Sequence, residues 1–339
     1  MGVKNRSKYA IKKFFITPLI MRLRGWLQEL DEKGVAPPEV EFDNTYSWLQ
    51  YAFYELSRDP TCSQKLMYCW GVLQGAALAK VLSINQVSVI EFGVAMGAGL
   101  KSLERISEIV ESKTGVKIDV YGFDSGVGLP KPRDYRDQPN MWLEGQLPMD
   151  RTLLGQELKS SSLILGLVEE TVHKFLKQGP APIAFVSFDL DLYTSTKDAL
   201  EVFDAGHAFV LPRVVCYFDD IMGHSYCDFT GERLAIQEFN ESHELRKLSP
   251  IYGLRYWVPP SYRADMYWDC LYFAHFFDHV LYDKPDSIRK IVYADGKVGI
   301  RMPVASDWRD VDLFELANRK KVEGRVVYVD PSPEELRKR

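Results

Sequence analysis

The sequence predicts an α/β fold built on a largely parallel sheet, and three observations predict it. Between residues 87 and 258, short apolar runs alternate with amphipathic stretches, the pattern of repeated βαβ units. The runs are rich in β-branched and aromatic residues and do not alternate strictly, as strands buried on both faces do not. A glycine-rich turn at residues 93–99 separates the first run from a helical stretch, the place where such sheets bind ligands.

Composition agrees. A chain of 339 residues, 46% of them hydrophobic, can bury a substantial core. A net charge of -5 gives no case for nucleic acid as a partner. Cys62, Cys69, Cys216, Cys227 and Cys270 are odd in number and show no CxxC spacing, so a reduced, cytoplasmic protein is expected, without a disulfide framework or structural zinc. No apolar stretch approaches the roughly 18 residues of a membrane span.

The elements follow in order. Residues 1–84 are expected to form an amino-terminal arm and helices. Lys4, Arg6, Lys8, Lys12, Lys13, Arg22 and Arg24 all precede the first acidic residue, Glu29. Such a basic amphipathic segment packs on the domain or on a second subunit of a homo-oligomer, or lies on an anionic membrane surface; packing is the expectation. Residues 44–83 are helical, with Leu66, Trp70, Leu73, Ala77 and Val81 on one face. Strands are expected at 87–92, 118–123, near Leu163, at 183–186 and at 214–218, and helices at 100–112 and 232–243. An irregular stretch runs from Ser125 to about Met149. Residues 259–339, aromatic at first, form a carboxy-terminal extension with a hairpin around Asp295-Gly296.

Two groups of residues carry chemistry. Asp189 and Asp191 follow one apolar run, and Asp219 and Asp220 follow another. Carboxylates gathered at one rim of a sheet repel one another unless a cation or a proton joins them, which suits a divalent metal with oxygen ligands. Asp189 and Asp191 share a face if extended geometry persists. The second group is the turn Glu91-Phe92-Gly93-Val94-Ala95-Met96-Gly97-Ala98-Gly99, with Asp124 and Ser125 ending the next strand. Glycines admit a close ligand, Glu91 suits an ammonium rather than a pyrophosphate, and Asp124 suits ribose hydroxyls. The combination favours an adenosyl ligand without phosphates.

These residues, together with Tyr121-Gly122-Phe123-Asp124-Ser125-Gly126-Val127-Gly128-Leu129-Pro130, Asp189-Leu190-Asp191-Leu192-Tyr193 and the helix opening Gly231-Glu232-Arg233-Leu234, resemble the macrocin O-methyltransferase (TylF-like) family. The resemblance covers residues 85–258. It implies a Rossmann-like class I methyltransferase sheet, S-adenosylmethionine as cofactor and Mg²⁺ or a similar ion. It further implies a hydroxyl of a sugar or glycosylated small molecule as acceptor. By that resemblance Asp189, Asp219 and Asp220 are metal ligands, Asp191 is the general base, and Glu91, Gly93, Gly97, Asp124 and Ser125 bind the cofactor. The chain departs from the family pattern at Gly126-Val127, at Leu190 and at residues 207–212, and none of these departures removes a carboxylate.

A nicotinamide-dependent oxidoreductase would use the same sheet with a different glycine spacing, and a non-catalytic adenosyl-binding protein would have little use for the carboxylates. Among the histidines, His207, His224, His243, His275 and His279 are scattered. His224 is close enough to the Asp pair to touch substrate, and His275 with His279 has metal-ligand spacing but is expected to pack. Tyr193 is expected to pack beneath the site.

Overall fold

The computed structural model describes residues 52–223, 226–256, 262–283, 290–292 and 298–300. The basic arm, His224 and everything beyond residue 300 lie outside the described residues. Helical residues end at Leu56, a short turn follows at Cys62–Lys65, and α1 spans Leu66–Val81. The βα alternation then runs β1 Gln86–Phe92, α2 Ala98–Thr114, β2 Lys117–Asp124, α3 Arg151–Glu157, β3 Ser162–Leu165, α4 Val168–Lys177, β4 Ile183–Phe188, α5 Tyr193–Leu200, β5 Val210–Phe218 and α6 Gly231–Ser242. Strands β6, Arg246–Pro250, and β7, Leu271–Phe276, complete a seven-stranded sheet of order β3-β2-β1-β4-β5-β7-β6. The first five are parallel, and β7 runs antiparallel to both neighbours. The result is the Rossmann-like α/β fold expected.

This order places the ligand crevice. From β1 the chain winds outward through β2 to β3, then crosses to begin β4 on the other side of β1. In sheets of this kind the ligand crevice lies at such a crossover, beyond the carboxyl ends of the two strands, here β1 and β4. The level of that cleft is set by register. Phe92 lies opposite Phe123 and Phe188, and Phe188 opposite Phe218. The rings contact in the same order, with centroids 4.7, 5.6 and 4.6 Å apart, and all four residues are fully buried. Each is followed at once by a residue singled out from the sequence: Gly93, Asp124, Asp189 and Asp219.

Helix α2 begins at Gly97 and ends at Gly115, both left-handed, and buries Leu100, Leu103, Ile106 and Val110 at helical spacing. Helix α1 departs from its expected stripe. It buries Met67, Tyr68, Cys69, Val72, Leu73 and the run Ala76, Ala77, Leu78, Ala79, whereas Leu66, Trp70 and Val81 are only half-buried. The glycines decide which face meets the sheet: a β-carbon on Gly71 would collide with the Phe185 ring, and one on Gly75 would lie 2.8 Å from the Ala184 carbonyl oxygen.

Outside the boundaries expected at 84/85 and 258/259, α1 packs on β4 and β5 and β7 is a strand of the sheet. The aromatic residues after 259 read as an extension because β7 pairs with β5 across more than fifty residues of chain, Arg213 lying opposite His275. Trp268 and Phe276 are core residues, and Tyr262 packs edge-on against Phe53. Strands β8, Lys290–Val292, and β9, Val298–Ile300, pair with each other in a separate sheet on either side of Asp295-Gly296; the turn itself lies outside the described residues. Among the described residues no helix is long and apolar enough to cross a membrane.

One buried carboxylate ties α2 to the approach to β3. Oε1 of Glu104 accepts the amides of Lys159, Ser160 and Ser161 at 2.9, 2.8 and 2.7 Å, and the Ser161 hydroxyl. Burial alone would raise its pKa, but these donors outweigh it and hold the carboxyl below the usual range. A depressed folded pKa contributes stability above the unfolded pKa that is lost as pH falls through the folded one. Glu104→Ala should therefore cost about 1–3 kcal/mol in urea unfolding at neutral pH. The gap to the wild type should narrow on acidification below the ordinary glutamate range.

Candidate active site

The glycine turn is built by the strand it leaves. Gly93 has φ 88° and its amide donates to the Phe123 carbonyl at 2.8 Å, while a β-carbon there would collide with the carbonyl of Asp189. Only glycine allows the ends of β1 and β4 to approach so closely. Gly97, at φ 79°, turns the chain into α2 and lies against Leu154, so its role in the structure is to start the helix.

Glu91 is buried beside the first turn of α2, where a β-carbon on Gly99 would overlap its Oε1. Tyr68 donates to Oε1 at 2.9 Å, and Oε2 is buried with no hydrogen-bond partner. Burial pushes the carboxyl up to about 7, against the opposing charge of Lys65 and the Tyr68 hydrogen bond. An acid so placed calls for a cationic donor.

Asp124 occupies its expected position at the end of β2, but its carboxylate is committed to the protein. Oδ2 accepts the amides of Val94 and Ala95 at 3.0 and 2.9 Å, and Oδ1 accepts that of Gly126 at 2.6 Å. It clasps the glycine turn, leaving about one of its lone-pair sites for a ligand. Ser125 is spent on its own turn, donating to Gly128 O at 2.6 Å and accepting from Val127 N at 3.1 Å. Gly126, at φ 74°, leaves room for Arg151, whose Nε donates to the Gly126 carbonyl at 2.9 Å.

The four rim carboxylates are brought together, though not as extended geometry would do it. Strand β4 ends at Phe188, and Asp191 is left-handed at φ 63°, so the expected alternation of Asp189 and Asp191 fails. Instead Asp191 turns to Asp220, and its amide donates to Asp220 Oδ2 at 2.9 Å. Tyr226 donates to Asp220 Oδ1 at 2.8 Å, and Tyr217 to Asp219 Oδ1 at 2.6 Å. Burial raises the pKa of Asp189, Asp191 and Asp220, and the charges of Asp219 and Asp220 add to it at Asp189. A fifth acid, Glu232 at the start of α6, belongs to the cluster. Its Oε2 accepts the Asp220 amide at 3.0 Å, its Oε1 has no partner, and burial followed by the charge of Asp220 raises it far above its usual range.

Among the described residues no group of three or more His, Cys, Asp or Glu is arranged as a ready metal cage. Tyrosine hydroxyls reach two of the carboxyls, Asp219 and Asp220. The donor set itself, all hard oxygen and mutually repulsive, is of the chemistry that a divalent cation of the Mg²⁺ type takes in exchange for protons. No described histidine is among its partners. His243 stacks on Phe239 and meets Asp204, His207 meets Asp278, and His279 meets the His207 carbonyl. His275 lies in β7 rather than on a helix, so its spacing to His279 has no ligand geometry. Tyr193 is buried as expected and donates to Glu238 at 2.7 Å. Sequence reasoning missed Lys65, Tyr68, Tyr217, Tyr226 and Glu232; of these only Glu232, within the Gly231-Glu232 helix opening, carried a local signal.

No protein-family profile and no curated protein matches this chain. Among solved structures it is similar to the calicheamicin methyltransferase CalS11, at 19% identity over 70% of this chain and 95% of that one, with a TM-score of 0.44. The apo structure of CalS11, described as a TDP-rhamnose 3'-O-methyltransferase of calicheamicin biosynthesis, aligns at 19% identity over 70% and 96%, with a TM-score of 0.37. The O-methyltransferase TomG of Streptomyces achromogenes, involved in tomaymycin synthesis and solved with S-adenosylmethionine, aligns at 12% identity over 70% and 92%, with a TM-score of 0.35.

Because Asp124 closes the glycine turn from within, Asp124→Ala should destabilise the protein even without ligand. The expected loss is about 1–3 kcal/mol, as partly buried amides lose their acceptor. Asp124→Asn, which keeps one acceptor oxygen, should lose less. Urea midpoints of the ligand-free proteins check this; an unchanged midpoint for the alanine variant would remove the structural role.

Proposed function

We propose that this chain is an S-adenosylmethionine-dependent O-methyltransferase of the macrocin O-methyltransferase (TylF-like) kind. Its acceptor would be a hydroxyl on a sugar or glycosylated small molecule, with a divalent cation assisting. The observation that carries the reading is the in-register phenylalanine row, which delivers Gly93, Asp124, Asp189 and Asp219 to one rim at the crossover between β1 and β4. The residues there fit an adenosyl amino acid. Glu91 Oε2 is an orphaned acceptor for an ammonium. A dinucleotide fits poorly, since the Glu91 carboxylate stands beside the α2 amino terminus where a pyrophosphate would go and would repel it.

When bound, S-adenosylmethionine supplies an electrophilic methyl group, and a cation at the rim lowers the pKa of a coordinated hydroxyl. Asp189, Asp219 and Asp220 would hold that cation. Asp191 would take the hydroxyl proton, its loop anchored by the hydrogen bond from its amide to the Asp220 carboxylate. Tyr226 and Tyr217 orient Asp220 and Asp219. Tyr267 is exposed and feels the charge of Asp219, and its ring would offer a face to a sugar. The chain's main contribution is alignment, holding acceptor and methyl donor in line.

The test begins with ligand linkage. S-adenosylhomocysteine at about 100 times its Kd should stabilise the wild type by about 2.7 kcal/mol, read as a rise in Tm. No shift in a folded sample would sink the cofactor reading. Exhaustive chelation should stop turnover and Mg²⁺ should restore it; turnover that survives chelation removes the metal while leaving methyl transfer standing. Asp191→Asn should lower turnover by about 10²–10⁴ with cofactor binding retained. The Asp189→Asn defect should be partly rescued by raising Mg²⁺, and the reverse pattern would exchange the two roles.

A further inference from the structure

Glu232 is an acid in an unusual position. It lies in the first turn of α6, directly after Gly231, and its side chain is fully buried. An acid in a first helical turn ordinarily faces solvent or an unpaired amide of its own helix. Among the described residues Glu232 has one partner, outside its helix: Oε2 accepts the Asp220 amide at 3.0 Å, and Oε1 is buried with no hydrogen-bond partner. Holding that amide needs a single acceptor oxygen, which glutamine would supply without burying a charge. A carboxylate is called for where a positive charge is to be met.

The neighbouring acids show which charge that is. Both oxygens of Asp220 are engaged, Oδ1 by the Tyr226 hydroxyl at 2.8 Å and Oδ2 by the Asp191 amide at 2.9 Å. Asp219 spends Oδ1 on the Tyr217 hydroxyl at 2.6 Å. The acid held against Asp220 therefore brings an oxygen of the kind that Asp220 has committed to its own loop. The charges of Asp220, Asp189 and Asp219 all bear on Glu232, which places it in the field of the three aspartates given above to the cation. Resting on that cation assistance, we infer that Glu232 is a further ligand of the rim ion, giving Oε1 to it beside Asp189, Asp219 and Asp220.

A fourth carboxylate changes what the ion can do. A hard cation of the Mg²⁺ type takes about six oxygens in a near-octahedral array. With one oxygen from each of four acids, about two positions stay open, against about three for the aspartates alone. They admit one acceptor hydroxyl and one water, or both oxygens of a vicinal diol. The added negative charge also weakens the pull of the ion on a coordinated hydroxyl, which leaves more of the deprotonation to Asp191. Among the described residues the acids are not drawn into a ready cage, so the ion has to gather them. Oε1 of Glu232 can turn to it without giving up a partner.

The probe is Mn²⁺, which suits the same oxygen ligands and geometry, added to the full chain. Water proton relaxation reads its affinity and the number of waters it keeps. Without acceptor, the wild type should hold Mn²⁺ with about two coordinated waters, and about three or more overturns the added ligand. Glu232→Gln keeps an acceptor for the Asp220 amide and removes the anionic oxygen. It should bind Mn²⁺ about tenfold to a hundredfold more weakly and gain about one coordinated water. Weaker binding with an unchanged water count makes Glu232 a residue that only orients Asp220, and unchanged binding leaves it no part in holding the ion. Either result overturns the added ligand. A cooperative thermal transition confirms that the variant is folded; if it is not, the wild-type water count still decides. A folded wild type that takes up no Mn²⁺ overturns the cation reading itself, and the added ligand with it.

Discussion

The alignment of four phenylalanines across the sheet is the constraint on which the site depends. Phe92, Phe123, Phe188 and Phe218 belong to strands joined by long crossovers, and nothing in those crossovers brings their ends level. Ring contact does. Each aromatic pair contributes about 0.5–1.5 kcal/mol beyond its burial, and a slip of one residue would turn every side chain of that strand to the other face. The following residues therefore emerge at one height: a glycine where the backbone must be approached, and aspartates where charge is needed. Packing just below the rim fixes the chemistry on it.

Charge at that rim is held in place by tyrosines. Glu91, Asp219 and Asp220 each receive one tyrosine hydroxyl, from Tyr68, Tyr217 and Tyr226 in turn. A neutral donor stabilises a carboxylate without neutralising it, so the acids keep their mutual repulsion and their affinity for a cation or a proton. Burying Glu232 beneath Asp220 sharpens this, since it adds a second acid where desolvation already disfavours the first. Removing one partner from such a cluster leaves others exposed to uncompensated charge, so these residues act as a unit rather than as independent contributors.

What was legible in the sequence follows from the range of the interactions. The five parallel strands, α2, α6 and the placement of Gly93, Asp124, Asp189 and Asp219 at strand ends could be read, because periodicity and turn chemistry are local. Strand β7 could not, because its place between β5 and β6 is earned by pairing with distant residues and its own sequence, Leu-Tyr-Phe-Ala-His-Phe, reads as aromatic packing. The face of α1 was misread because its contact with the sheet is made by Gly71 and Gly75, which a hydrophobic stripe does not register. Lys65, Tyr68 and Tyr217 were missed for the same reason: each is ordinary in its own segment, and the meaning lies in their meeting.

The one element that local reasoning got wrong at the site shows how the loops are held. Ala95 and Asp191 are non-glycine residues with positive φ, at 44° and 63°, a conformation that costs about 1–3 kcal/mol and persists only where the surroundings enforce it. Each lies in the loop after a central strand, and each donates its own amide to a carboxylate at the end of the neighbouring strand. Ala95 donates to Asp124 and Asp191 to Asp220. The two halves of the cleft thus use one device: an aspartate carried to the rim by the aromatic row reaches across to pin the turn beside it. Extended geometry at Asp191 would have sent its amide elsewhere and left Asp220 without that donor. The strain at residue 191 and the buried charge at residue 220 each make the other tolerable, which is why the acid-bearing loop departs from the strand that precedes it.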